Sequence, residues 1–231
     1  MTSETSAIGA SDPSFSRDKT LPVALLLAFA GGYVDAYTWI LHGVLANAQS
    51  ANVVLLWVHA TAQRWEQAFR FVPSILAFTV GVVAASWLRR SAGPKAGKIS
   101  LLVEIVMLFV VGVLHNRLPD LAGTLGISFV AAIQTSIFTK VEGLTYSSVM
   151  ITGNLRQAIE GAFEAAAGGT KTGGLRRAGL FMGLCAAFGT GAAVGALLTE
   201  RVPAFSLCLP IAVLLLVLLL CESERMTRQR E

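Results

Sequence analysis

The stretch Phe29-Ala30-Gly31-Gly32-Tyr33-Val34-Asp35-Ala36 is followed by Leu41-His42-Gly43, then by Gln49-Ser50-Ala51-Asn52 opening Val53-Val54-Leu55-Leu56-Trp57. Read in order, it places a carboxylate inside an apolar helix, turns at a glycine and starts a second, short helix. The same order returns later in the chain. Phe129-Val130-Ala131-Ala132-Ile133-Gln134-Thr135 leads to Val141-Glu142-Gly143, and Ile151-Thr152-Gly153-Asn154 opens another short helical run. Phe29 aligns with Phe129 and Gly43 with Gly143, while Ser50-Ala51-Asn52 aligns with Thr152-Gly153-Asn154 after a two-residue insertion.

Composition sets the class. Hydrophobic residues make up 54% of the chain and charged residues 14%, against roughly a quarter charged in an average soluble domain. Mean hydropathy is +0.65. These values describe an integral membrane protein. The net charge of +4 would point to nucleic acid in a soluble protein, but here the basic residues lie between apolar runs and act as topology signals. No nucleic-acid partner is expected. Cys185, Cys208 and Cys221 fall in apolar runs without CxxC spacing, so they read as buried free thiols.

Residues 1–20 are rich in Ser and Thr without apolar periodicity, and read as a disordered cytoplasmic tail. Six spans are expected: Leu21 to His42, Phe69 to Leu88, Ile99 to His115, Leu121 to Thr139, Leu175 to Leu198 and Phe205 to Cys221. Two further segments, roughly Val44 to Gln63 and Leu144 to Ala167, are too polar for a full crossing and read as re-entrant or interfacial helices. With the N-terminus inside, fourteen Lys and Arg residues fall on the inner side and four on the outer, so both termini are expected in the cytoplasm.

Three spans per repeat is an odd number, so the second copy must lie upside down. The expected fold is therefore an all-α integral membrane protein with six transmembrane helices. They form two inverted three-helix repeats, at 21–115 and 118–221, each with an additional short helix, followed by a cytoplasmic tail at 222–231. Small residues recur every four positions at Ala77, Gly81 and Ala85 and again at Gly179, Gly183, Ala187, Gly191 and Gly195. Such stripes allow close helix approach, and these two helices are expected to pack through them.

The Gly-x-x-Asp-Ala step at Gly32 to Ala36, the Ser-Ala-Asn and Thr-Gly-Asn steps and the six-span layout resemble the YoaK-like bacterial membrane proteins, a family of unknown function. The resemblance spans about Leu21 to Cys221. It implies a multi-pass protein of the bacterial inner membrane, suspected of transport, and names no substrate. Ser50-Ala51 departs from the family's usual Thr-Gly, and Thr135 stands where Asn is common.

Asp35 is the most informative side chain. A carboxylate in a spanning helix costs about 2.5 to 3.5 kcal/mol on insertion scales and normally faces protein or water. Gly31, Asp35, Thr38 and His42 share one helical face, and Ala131, Thr135, Thr139 and Glu142, with Gln134 beside them, form its mate. Asp35 is read either as a coupling-ion or proton site or as a structural residue bonded to another helix. Ser50, Asn52, Thr152 and Asn154 have side chains suited to N-caps. Two helix N-termini approaching from opposite faces would bracket one small polar or anionic solute; ordinary capping is the competing reading.

Glu104 lies near one end of its span and reads as snorkelling toward Lys95 and Lys98, with a proton path as the alternative. His42, His59 and His115 are too scattered for a metal site. No Walker loop, GxSxG or nucleophile-base set is present, so neither enzymatic activity nor a cofactor is expected. The leading function is secondary transport of a small polar or anionic solute, proton-coupled or not. Its candidate residues are Asp35, Thr38, Ser50, Asn52, Gln134, Thr135, Thr152 and Asn154. The alternative is a non-transporting membrane scaffold. The partners expected are the lipid bilayer and a small solute or ion, and a homo-oligomer stays open.

Overall fold

A computed structural model describes residues 20–114, 117, 120–168 and 171–228. The expected N-terminal tail (apart from Thr20), His115 and the last three residues lie outside that range. The described chain is almost wholly helical: α1 (Leu21–His42), α2 (Gln49–Thr61), α3 (Trp65–Phe69), α4 (Phe71–Ala92), α5 (Ala96–Leu114), α6 (Asp120–Ile137), α7 (Ile151–Ala166), α8 (Lys171–Arg201) and α9 (Cys208–Arg228). A two-stranded hairpin, Lys140–Val141 with Leu144–Thr145, precedes α7. The sequence-derived spans agree with α1, α4, α5, α6, α8 and α9 to within a few residues, and the two polar segments are α2 and α7. The stretch expected as a C-terminal tail continues α9 as helix through Arg228.

Four helical stretches are long and apolar enough to cross a membrane, at 21–42, 65–114, 172–201 and 203–222. They mark the chain as a membrane protein. The second, of 50 residues, contains both α4 and α5, divided at Gly93 by a left-handed φ of 50°. Leu121–Ile137 is apolar but shorter. Large apolar side chains point outward along these helices, including Val80, Val83 and Trp87 on α4, Phe109 and Val113 on α5, and Leu219 on α9. In water such a surface would be an aggregation liability; in a bilayer it is the lipid-facing exterior.

The interior is organised by two close helix pairs. α1 packs along α8, and α4 packs along α6. The small-residue stripes make both approaches possible, but each faces the first helix of the other half, which corrects the expectation that α4 and α8 pack on each other. A Cβ on Gly191 of α8 would collide with the Phe29 carbonyl of α1, and a Cβ on Gly81 of α4 would collide with the Phe129 carbonyl of α6. Only glycine admits backbone this close. Around these pairs lie two apolar clusters. One joins α1, α5, α6 and α9 through Leu27, Leu101, Leu108, Ile127 and Leu214, and the other joins α1, α7 and α8 through Ala28, Ala158, Phe181 and Leu184.

Candidate functional site

The site begins with a chain reversal. α1 ends at Gly43, whose φ of 67° lets its N–H close the last turn on the Trp39 carbonyl at 2.9 Å. The chain then doubles back along α1. The Ala46 N–H donates to Thr38 Oγ1 at 3.2 Å, the Asn47 N–H to Asp35 Oδ1 at 2.7 Å, and Asn47 Nδ2 to the Gly31 carbonyl at 3.2 Å. Successive bonds climb the inward face predicted from the helical spacing. α2 therefore starts level with Asp35, seven residues or about 10 Å in from the end of α1.

Asn52 locks this loop. It is fully buried; its Oδ1 accepts the Leu45 N–H at 3.0 Å, and its Nδ2 donates to the Leu45 carbonyl at 2.6 Å and to Ser74 Oγ at 3.2 Å. Ser74 on α4 in turn shares a hydrogen bond with Ser128 on α6 at 2.8 Å. The second half repeats the plan with fewer bonds. Asn154 Nδ2 donates to the Ser147 carbonyl at 2.7 Å, seven residues back as Leu45 is from Asn52, and Ser147 Oγ meets Thr135 Oγ1 at 3.2 Å. Here the return is made by the hairpin, turning at Glu142 and Gly143 with φ of 47° and 84°. That hairpin accommodates the two-residue insertion.

The capping expectation is corrected. The N-caps of α2 and α7 are Ala48 and Met150, neither of which caps through its side chain. Ser50, Asn52, Thr152 and Asn154 lie inside the first turns, and the two Asn side chains reach backward to loop carbonyls instead. Thr38 is buried as a loop anchor. Gln134 is buried, and its Nε2 has no hydrogen-bond partner. Glu142 forms an ion pair with Arg176 at 2.5 Å. Glu104 is buried on α5, and Lys98 pairs with Glu222, so the snorkelling expectation is also corrected. One oxygen of Glu104 has no partner.

Between the two loop-and-helix units lies a cavity of about 860 Å³, near the upper end of the roughly 300–1,000 Å³ typical of small-molecule sites. Asp35, Ser50, Thr135 and Thr152 border it; Asn52, Asn154, Thr38 and Gln134 do not. Its walls are mostly apolar and include Trp39, Phe78 and Phe188. Among the described residues, Asp35 is the only ionisable one that lines it. Sequence reasoning missed Asn47, Ser74, Ser128 and the two phenylalanines. The serines carried a detectable signal, being small polar residues at helical positions otherwise occupied by apolar ones.

These features define a predominantly helical membrane protein with an open, solute-sized cavity beside one buried carboxylate. Residues 23–220 match the family described as "Protein of unknown function (DUF1275)", and the chain belongs to that family, in agreement with its resemblance to the YoaK-like proteins. No curated protein and no solved structure matches it.

Proposed function

We propose that this protein is a secondary transporter of the bacterial inner membrane. It is built from two inverted three-span repeats, with both termini cytoplasmic, and binds a small solute in the cavity at Asp35. The observation that carries this reading is the pairing of the cavity's lining. Asp35 faces it with Thr135, Ser50 with Thr152, Gln49 with Ile151, and Phe78 with Phe188. Each pair comes from matching positions of the two halves. The first three pairs follow from the sequence alignment; Phe78 and Phe188 follow from aligning Gly81 with Gly191, the two glycines that admit Phe129 and Phe29 respectively.

A cavity on the axis that exchanges two halves is where an inverted-repeat transporter holds its solute. Six crossings follow if the 50-residue apolar stretch counts as two spans, parted at Gly93, and α6 as one. The depth at which α2 starts along α1 supports re-entrance of the Ser-Ala-Asn segment.

The test is solute uptake by purified protein in liposomes, screened by counterflow, beside Asp35→Asn. Uptake that is saturable and impaired by the substitution is the expected result. A scaffold predicts no uptake of any solute and co-purification of a stoichiometric partner, and that pair of results would replace transport with assembly.

A further inference from the structure

The chemistry of the cavity wall sets what charge it can hold. We propose, resting on the transporter reading, that the solute is a small organic cation with an apolar or aromatic body. Its charge is set against Asp35 and its body against Trp39, Phe78 and Phe188.

Four observations point this way. Asp35 is 5% exposed and borders the cavity, and among the described residues no Lys, Arg or His borders it with Asp35. A carboxylate buried without a cationic side chain beside it is stabilised by a cation brought from outside. Three aromatic residues, Trp39, Phe78 and Phe188, are among the lining positions, and an aromatic face attracts an ammonium and repels an anion. The helix starts, which would favour an anion, are weaker than they look in sequence. Each carries only about half a charge, and at α2 the N–H groups of Asn47, Gln49 and Ala51 are already engaged by Asp35 Oδ1, the Asn47 carbonyl and the Ala48 carbonyl. The carboxylate, ionised as an arriving cation pairs with it, therefore outweighs what remains. Of the solutes expected from sequence, the anionic class is the one this wall serves least.

The experiment is isothermal titration of the full chain in non-ionic detergent with three probes of similar shape: benzyltrimethylammonium, benzyl alcohol and benzoate. Wild type should bind the ammonium most tightly and benzoate least. Asp35→Asn keeps an oxygen for the Asn47 N–H while removing the charge. It should weaken the ammonium about tenfold or more and leave benzyl alcohol within about twofold. Phe188→Leu, which leaves the carboxylate alone, should weaken the ammonium about threefold or more. Benzoate binding tighter than the ammonium, ammonium affinity indifferent to both substitutions, or no ammonium binding at millimolar concentration would each overturn the proposal. Uptake of the same probes separates this failure from that of the transporter reading. An ammonium bound but never carried leaves the site and removes transport; benzoate carried without ammonium binding leaves transport and removes the cation site.

Discussion

Asn52 and Asn154 hold matching places, and their unequal bonding makes a sharp prediction. In Asn52→Ala the Leu45 N–H loses its acceptor, whereas the Leu45 carbonyl keeps the Ser74 hydroxyl at 3.1 Å and Ser74 keeps Ser128. One part-buried donor is orphaned, at about 1–3 kcal/mol, and the bonds made by Nδ2 are lost at about 1 kcal/mol net. The expected destabilisation is about 2–4 kcal/mol, at the higher end if lipid rather than water surrounds the loop. Asn154→Ala removes the bond to the Ser147 carbonyl and orphans no backbone donor that the Asn holds, so about 1 kcal/mol is expected. For a chain of this size, 1 kcal/mol moves the melting temperature by roughly 2–4 °C. Thermal unfolding of the purified variants in one detergent should then show Asn52→Ala falling at least twice as far as Asn154→Ala. Equal losses, or the reverse order, would refute the reading of Asn52 as the lock of the first loop.

Three further outcomes follow from the packing. Gly191→Leu should prevent α1 and α8 from closing and abolish monodisperse protein on size exclusion, whereas Gly179→Ala, which meets open space, should elute as wild type. Arg177 donates to Glu160, Glu164 and Gln157 from a quarter-exposed position. Arg177→Ala should cost about 1–2 kcal/mol by thermal melting and fray α7 from α8, with the loss shrinking in high salt, while the exposed Arg156→Ala should cost under about 0.5 kcal/mol. Glu104→Met replaces a buried carboxylate oxygen that has no partner with an apolar chain of similar volume. If Glu104 has no role in transport, the variant should melt about 1 kcal/mol higher with uptake intact; a stable variant that has lost uptake would place Glu104 on the transport path.

The sequence carried most of the helices because the bilayer demands long apolar runs, and the interruptions at Asn47-to-Asn52 and Ser147-to-Asn154 were legible as polarity that lipid would reject. Asp35 was legible for the same reason. Partner choice was not. A stripe such as Gly179 to Gly195 states that some backbone comes close, yet periodicity alone cannot say which, and the stripe lies on α1 rather than α4. Nor could it separate lining from locking. Ser50 and Asn52 are two residues apart, and whether each reaches the cavity or the loop depends on where the chain reverses at Gly43, a tertiary fact. Nearness in sequence to a basic loop does not expose Glu104, which is buried on α5, while Lys98 is taken by Glu222 from the far end of the chain.

Around the cavity, the contacts fall into two bodies that meet through the apolar packing of α1 on α6 and α9. Asn52, Ser74 and Ser128 tie the first loop unit and α2 to α4 and α6. The second loop unit and α7 pack with α8 and α1. Asp35 and Thr135 sit on the crossings: Asp35 of α1 holds Asn47 of the first loop, and Thr135 of α6 holds Ser147 of the second. Under the transporter reading, a solute that draws on Asp35 competes with the Asn47 N–H for the same carboxylate, so occupancy and the joint between the bodies are linked. The joint itself is testable without a solute. Asp35→Asn retains an acceptor and should leave the loop in place. Asp35→Ala orphans the Asn47 N–H, at about 1–3 kcal/mol, and should free it. Cysteine labelling at Ala48→Cys in liposomes should therefore quicken about tenfold in the alanine background and little in the asparagine one. Equal labelling in all three backgrounds would show that Asp35 does not hold the loop, and the linkage between solute and joint would fall with it.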